Sequence, residues 1–303
     1  PWPWLLSLFF GSGGSDSLLA AVRRDREMES KKRSVYWGKC LLLVLLLSLL
    51  PFFLSSPRSL TARQGFDSVN GPKIIVLNYH KVDNMHISLS VRPEDFERQM
   101  KYLVEHNFHA ITPQEMYAAL VEGAELPENP VLITFDDGYL DNYTNAYPIL
   151  KKYGLKATMF VITGFMDRGQ PGYFTWGQAA EMEASGLINI ESHTVTHSSL
   201  TALSEEQLQR EIKLSKADIE RRLGKQVEFL AYPTGTYNLH IAALVKEAGY
   251  KGAFTVKYGN VDRASNVFAI ERVPVFHTEN TYRSFLERLQ YIPIFERLGW
   301  IKS

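Results

Sequence analysis

The sequence predicts an α/β domain built as a β/α barrel of seven or eight strands, on three observations. From Lys73 onward, short β-rich runs alternate with amphipathic helical stretches, which means parallel strands joined by right-handed crossovers. Residues 73–303 make a domain of the size such barrels need. Side chains capable of chemistry fall at the ends of strands, where both barrels and open sheets build their sites. A doubly wound open sheet is the alternative.

The elements read as follows. "KIIVLNYH" is a strand, and "RPEDFERQMKYLVEHN" is a helix with Phe96, Met100 and Leu103 at helical spacing and Pro93 at its start. "FHAI" is a short strand. "TPQEMYAALVEG" is a helix with Thr112 as N-cap and Pro113 in its first turn. "VLITF" is a buried strand, "YTNAYPILKKYG" a helix stopped at Gly154, and "KATMFVI" a strand. "TWGQAAEMEASG" is a helix and "LINIESH" a strand. "SEEQLQREIKLSKADIERRLG" is a long helix opened by the capping-box pair Ser204 and Gln207. "VEFLAYP", "HIAALVKEAGY", "KGAFTV" and "FAIERV" continue the alternation, and "TYRSFLERLQ" closes it as an amphipathic helix.

Composition narrows the function. With 45% hydrophobic residues in 303, the chain can bury a large core. Its 33 basic and 33 acidic side chains cancel, which argues against nucleic acid as a partner and suits a neutral polysaccharide. The single cysteine, Cys40, leaves the predicted domain without a disulfide or a thiolate metal site.

The N-terminal part reads differently. Lys31, Lys32, Arg33 and Lys39 precede an apolar run from Cys40 to Leu54, the pattern of an export signal. Residues 28–56 are therefore expected to be a signal peptide or an N-terminal membrane anchor. The protein is then secreted, or held on the outer side of the cytoplasmic membrane by this segment alone. Residues 57–72, polar and rich in Ser, Gly and Pro, read as a linker. Residues 1–27 are expected to be a non-native or unstructured extension upstream of Met28; N-terminal sequencing that found Trp2 in the expressed product would refute that.

"VLITFDDGYLDN" sets the chemical question. A strand that ends in Asp136 and Asp137 places two like charges side by side, and at least one needs a partner. Neighbouring strand residues point to opposite faces, but Gly138 permits a sharp turn that can redirect one of them. "ESHTVTHSS" offers the partner. Its β-branched spacer disfavours helix, so His193 and His197 belong to a loop leaving a strand. Two imidazoles and a carboxylate form a three-ligand set for a divalent metal with one position left open. A cation there relieves the repulsion between the aspartates.

These stretches resemble the polysaccharide deacetylases (carbohydrate esterase family four). "TFDDG" and "SHTVTH" are similar to that family's first two motifs and "AYPTGTYN" to a variant of its third. "LNYHKV" and "VRPEDFERQMKYL" resemble the branch that acts on exopolysaccharide poly-N-acetylglucosamine. The resemblance implies a distorted barrel and one catalytic domain over 73–303. It implies N-deacetylation of N-acetylglucosamine residues, and a divalent metal, expected to be zinc, with cobalt or nickel also suited. By position it implies Asp137, His193 and His197 as metal ligands, Asp136 as general base and His80 as general acid.

The backbone N–H near Thr234 is expected to face the oxyanion, with Gly235 setting the bend. Tyr232, Pro233, Gly235 and Tyr237 are expected to meet substrate, and Tyr173 and Trp176 are further candidates for stacking on sugars. In two places the sequence departs from the family pattern. Ala231 stands where an arginine commonly orients the base, so Asp136 is expected to lack that partner. No acidic residue can be assigned to orient the acid histidine, and His277 in "RVPVFHTE" is its rival. An O-acetyl esterase on xylan or another acetylated glycan, and a non-catalytic glycan-binding module, are the alternative functions.

Overall fold

The computed structural model describes residues 73–290; the expected extension, signal or anchor, and linker lie outside that range. Seven strands close a parallel barrel: β1 (Ile75–Tyr79), β5 (Pro130–Phe135), β6 (Ala157–Val161), β7 (Ile188–Ser192), β8 (Phe229–Ala231), β9 (Gly252–Tyr258) and β10 (Ile270–Pro274). Closure comes where β1 pairs with β5 on one side, Ile75–Tyr79 against Val131–Phe135, and with β10 on the other. An eighth strand, β4 (His109–Ala110), adds to the N-terminal half of β5, whose C-terminal half pairs with β6. A separate pair of two-residue strands, β2 (Lys81–Val82) and β3 (Ser90–Val91), was not expected. Among the described residues no helix is long and apolar enough to cross a membrane.

Strand alternation sorts the core. Val76, Leu132, Phe160, Phe229, Phe254 and Ile270 fill the bore. Their neighbours Leu77, Ile133, Met159, Leu230 and Ala253 face the surrounding helices. All six residues of β5 are buried, as a strand packed on both faces must be. The same period puts Asn78, Thr134, Asp136, His193 and Arg272 on the bore side, towards its C-terminal mouth.

The expected helix signals operate. Thr112 and Ser204 both form capping boxes, with Glu115 and Gln207, and Gly154 ends its helix in the left-handed conformation. The helix at 143–153 starts differently: residues 142–146 form a wider turn and the regular helix is Tyr147–Tyr153. Pro148 lacks the N–H that a continuous helix would require of it. A further short helix at Thr163–Asp167 was not anticipated, and β9 joins β10 through a loop instead of a helix.

Candidate active site

Asp136 continues the inward alternation of Leu132 and Thr134 into the mouth of the bore, where it is 1% exposed. Asp137 by the same rule would point outward. Its backbone instead turns left-handed, φ 76°, with Gly138 following at φ 81°. That break turns the two carboxylates in different directions, the redirection that Gly138 was expected to permit.

Asp137 turns towards the loop that leaves β7. Its Oδ1 lies 3.4 Å from Nε2 of His193 and 3.4 Å from Nε2 of His197. The imidazoles meet edge to face with centroids 4.8 Å apart. Nδ1 of His193 is 2.8 Å from the carbonyl of Ala231, a bond that, with the proton on Nδ1, leaves the Nε2 lone pair facing Asp137. Asp137 Oδ1 is buried with no hydrogen-bond donor, and one ligand atom from each of the three residues lies within 4.8 Å of the others. A buried, unpartnered carboxylate oxygen between two imidazole nitrogens fits a divalent cation. Burial pushes the His193 imidazole down, but Asp136 and Asp137 outweigh it and hold it above its ordinary value.

Asp136 has the arginine that Ala231 does not supply. Arg272, from the interior of β10, donates from Nη1 to Oδ1 at 2.8 Å and from Nη2 to Oδ2 at 2.7 Å. The expectation of an unpartnered base is corrected: the guanidinium reaches the carboxylate from another strand. Arg272 is itself fully buried, fixed through Nε to the carbonyl of Thr255 at 2.7 Å, and its guanidinium lies 5.9 Å from the rings of Phe160 and Phe254. Asn78 Nδ2 adds a third bond to Asp136 Oδ2 at 3.1 Å. Burial raises the Asp136 carboxyl, but Arg272, His193 and His80 together hold it well below the usual carboxylate range.

His80 leaves β1 on the other side of Asp136, with Nε2 3.9 Å from Oδ2. Its backbone is tied down by the turn after the aspartates. Asn142 Nδ2 donates to the His80 carbonyl at 2.8 Å, and Asp141 accepts from the Val82 amide at 2.7 Å and from Lys81 Nζ at 2.6 Å. Nδ1 of His80 is buried without a hydrogen-bond partner, so no acidic side chain orients it there. Burial lowers its pKa and the two aspartates raise it, with burial prevailing. The rival His277 follows β10, its amide on the carbonyl of Ser88, its ring 5.6 Å from that of His86, and its Nδ1 buried without a hydrogen-bond partner. His106, His109 and His240 make contacts away from the aspartates, as expected of packing and surface residues.

The turn after β8, where the oxyanion donor is expected, passes through the left-handed region. Thr234 is left-handed at φ 58°, and Gly235 follows at φ 72°. A Cβ on Gly235 would stand 2.7 Å from the amide nitrogen of Val256. Tyr232 does not meet solvent: it is fully buried, its hydroxyl donates to the carbonyl of Phe268 at 3.0 Å, and Tyr237 covers its ring at 4.9 Å. Its expected sugar contact is therefore corrected to packing, and Pro233 is likewise buried. Tyr237 is half-buried and borders an open polar groove with Lys257, Asp262 and Glu271. Tyr173 stacks on Tyr139 at 5.1 Å, and Lys81 lies over the Tyr139 ring at 4.3 Å.

Arg272, Asn78 and Asp141 escaped the sequence reading. Asn78 stands alone among apolar residues in "IVLNYH", and Arg272 in "AIERVPV" follows the outward Glu271 but shares the inward parity of Ile270. A polar residue on the inward parity of a strand was the available signal.

A closed parallel barrel that gathers two carboxylates and three imidazoles at one strand-end rim defines a class of barrel hydrolases. The sequence profile of the polysaccharide deacetylases matches residues 123–253. The Bacillus subtilis (strain 168) protein YxkH, named for that family, is 38% identical over 203 residues, 67% of this chain and 71% of that protein. The Staphylococcus aureus (strain MSSA476) poly-beta-1,6-N-acetyl-D-glucosamine N-deacetylase is 29% identical over 71% of this chain and 82% of its own length. The solved structure of the Streptococcus pyogenes deacetylase PplD in complex with acetate superposes with a TM-score of 0.68 at 30% identity, over 72% of this chain and 99% of that one. The chain belongs to the polysaccharide deacetylase family.

Proposed function

We propose that this protein is a metal-dependent hydrolase that removes N-acetyl groups from N-acetylglucosamine residues of an extracellular or cell-wall polysaccharide. The observation that carries the proposal is the division of labour between adjacent aspartates. Asp136 is ionised and gripped by Arg272, while Asp137 turns a bare oxygen to two imidazole nitrogens. The similarity to a poly-beta-1,6-N-acetyl-D-glucosamine N-deacetylase supports the choice of polymer.

Asp137, His193 and His197 would hold the ion, zinc in the first place, with cobalt or nickel suited to the same donors. A bound ion would supply Lewis-acid polarisation of the acetyl carbonyl and a lowered pKa of water, so that even so weak a base as Asp136 could take a proton. Asp136 accepts that proton while Arg272 and Asn78 keep both its oxygens in place. The backbone N–H near Thr234 faces the oxyanion; one such donor contributes roughly 3 kcal/mol. His80, across Asp136, delivers a proton to the amine nitrogen as the C–N bond breaks, and acetate leaves. Tyr237, beside its polar groove, is the residue we assign to the glycan chain. We place the enzyme at the cell surface or outside, by virtue of residues 28–56.

Acetate release from chitin oligomers, poly-N-acetylglucosamine and peptidoglycan fragments, with and without chelator, tests this reading. Release from poly-N-acetylglucosamine that chelation abolishes and added zinc or cobalt restores is the expected result. Release confined to O-acetylated xylan would make the protein an esterase. No release from any acetylated glycan, with the ion bound, would make it a binding module.

A further inference from the structure

We propose that Glu211, on the helix Glu205–Leu223, is the positioning residue of the loop that carries His193 and His197. The inference rests on the reading of those histidines as ligands. The loop passes through the left-handed region twice, at Thr194 (φ 67°) and His197 (φ 60°), and neither residue is glycine. Such conformations persist only where the surroundings dictate them. Part of the restraint comes from the first turn of the short helix Thr163–Asp167. The amides of Thr163 and Gly164 donate to the carbonyls of Thr194 and Val195, at 3.1 and 2.9 Å.

Within the loop the His197 amide donates to the Thr194 hydroxyl at 3.3 Å, and Glu211 holds the residues between. Its Oε2 accepts the successive amides of Val195 at 2.8 Å and Thr196 at 2.9 Å, and its Oε1 accepts the Thr196 hydroxyl at 2.7 Å. Consecutive N–H groups on a turn that includes left-handed residues form a concavity suited to an anion. Here the protein fills that concavity with its own carboxylate. Glu211 stands at a core-facing position of its helix, beside Leu208, Ile212 and Ser215, where an apolar residue would serve packing better. A carboxylate buried there is costly unless its bonds are made. The three bonds fix residues 195 and 196, and so the spacing of the flanking imidazoles whose Nε2 atoms both stand 3.4 Å from Asp137 Oδ1.

The test compares E211A and E211Q with wild type and with I219A, which removes a buried side chain two turns further along the same helix. Two readouts are taken on the full chain. One is Co²⁺ affinity from the visible absorption of the bound ion. The other is amide exchange at Val195 and Thr196 in metal-free protein. The expected result is an affinity loss of about 10–100-fold in E211A, the scale of outer-shell changes at metal sites, and little loss in I219A. E211Q should stay near wild type, because its amide oxygen can accept both N–H groups while its NH₂ turns to the Thr196 hydroxyl. Faster exchange at Val195 and Thr196 in E211A, beyond that of I219A, is expected alongside. If E211A does not fold, T196V, which removes the hydroxyl bond to Glu211 together with the contact to Ser198 Oγ at 2.8 Å, carries the same comparison with a smaller loss, and S198A serves as its control for the second contact. Affinity and exchange in E211A equal to those of I219A would overturn the proposal. If wild type itself binds no Co²⁺, the metal reading fails, and the exchange comparison alone then decides whether Glu211 holds the loop.

Discussion

Arg272 and Asp136 meet through two parallel N–H···O bonds of 2.8 and 2.7 Å inside the barrel mouth, although they are 136 residues apart in the chain. The pair is bidentate and both partners are buried, so its loss leaves a buried charge unmatched. R272M is expected to lower stability at pH 7 by about 3–5 kcal/mol, measured by urea unfolding. Adding D136N should recover part of that loss, since the orphaned carboxylate is then gone. Equal destabilisation in the single and double variants would mean that Arg272 acts through packing alone.

The same pair predicts a pH signature. Asp136 has a folded-state pKa below its unfolded one, since Arg272, His193 and His80 together outweigh burial. Its contribution is therefore present above the unfolded value near ~4 and is lost as pH falls towards the folded one. In R272M burial is no longer offset to the same degree, so the cost grows as pH rises past ~4. The stability gap between wild type and R272M should narrow from pH 7 to pH 3. A gap that stays constant over that range would contradict the assignment.

D136N and D137A should separate the two aspartates. D136N is expected to retain the ion and lose roughly 100-fold or more in turnover, the usual scale for a general base. D137A should lose ion and activity together. Metal content by atomic absorption, set against acetate release, checks both, and a D136N variant near wild-type turnover would remove Asp136 from the mechanism.

His80 should govern the alkaline limb of the kcat/KM profile. Burial outweighs the two aspartates and lowers its pKa, so the protonated form is lost as pH rises through a value below the ordinary ~6.5. Activity on an N-acetyl substrate should decline accordingly, and H80A should remove that limb with ion binding intact. A larger turnover loss in H277A would transfer the acid role to His277. An unaltered rate in H80A would point to ester chemistry, which needs little help from an acid.

G235A is expected to disable the turn after β8. The residue requires φ 72°, and an added Cβ would press on the backbone of Val256. The variant should lower turnover with ion affinity unchanged, because the His193–Ala231 contact lies upstream of the bend. Loss of ion affinity in G235A would show that the turn supports the ligands themselves.

How far the sequence reached follows from what each feature depends on. The barrel, the caps at Thr112 and Ser204, and the strand-end carboxylates and imidazoles rest on local pattern, and local pattern is visible in a string of residues. Arg272 was invisible as a partner of Asp136 because its position depends on which strand closes the barrel beside β1, a question of register and not of motif. Tyr232 misled for the opposite reason. It lies within a motif-like stretch, but the path of the loop between β9 and β10 brings the Phe268 carbonyl over its hydroxyl and buries it. Glu211 looks in sequence like one more surface charge on a long polar helix. Only the arrival of the 193–197 loop gives it a task.

The most direct test is an anomalous-scattering map from crystals soaked in Co²⁺. One peak is expected, about 2.0–2.2 Å from Nε2 of His193, Nε2 of His197 and a carboxylate oxygen of Asp137. No peak between those three side chains, in crystals of protein that releases acetate, would contradict the account at its centre.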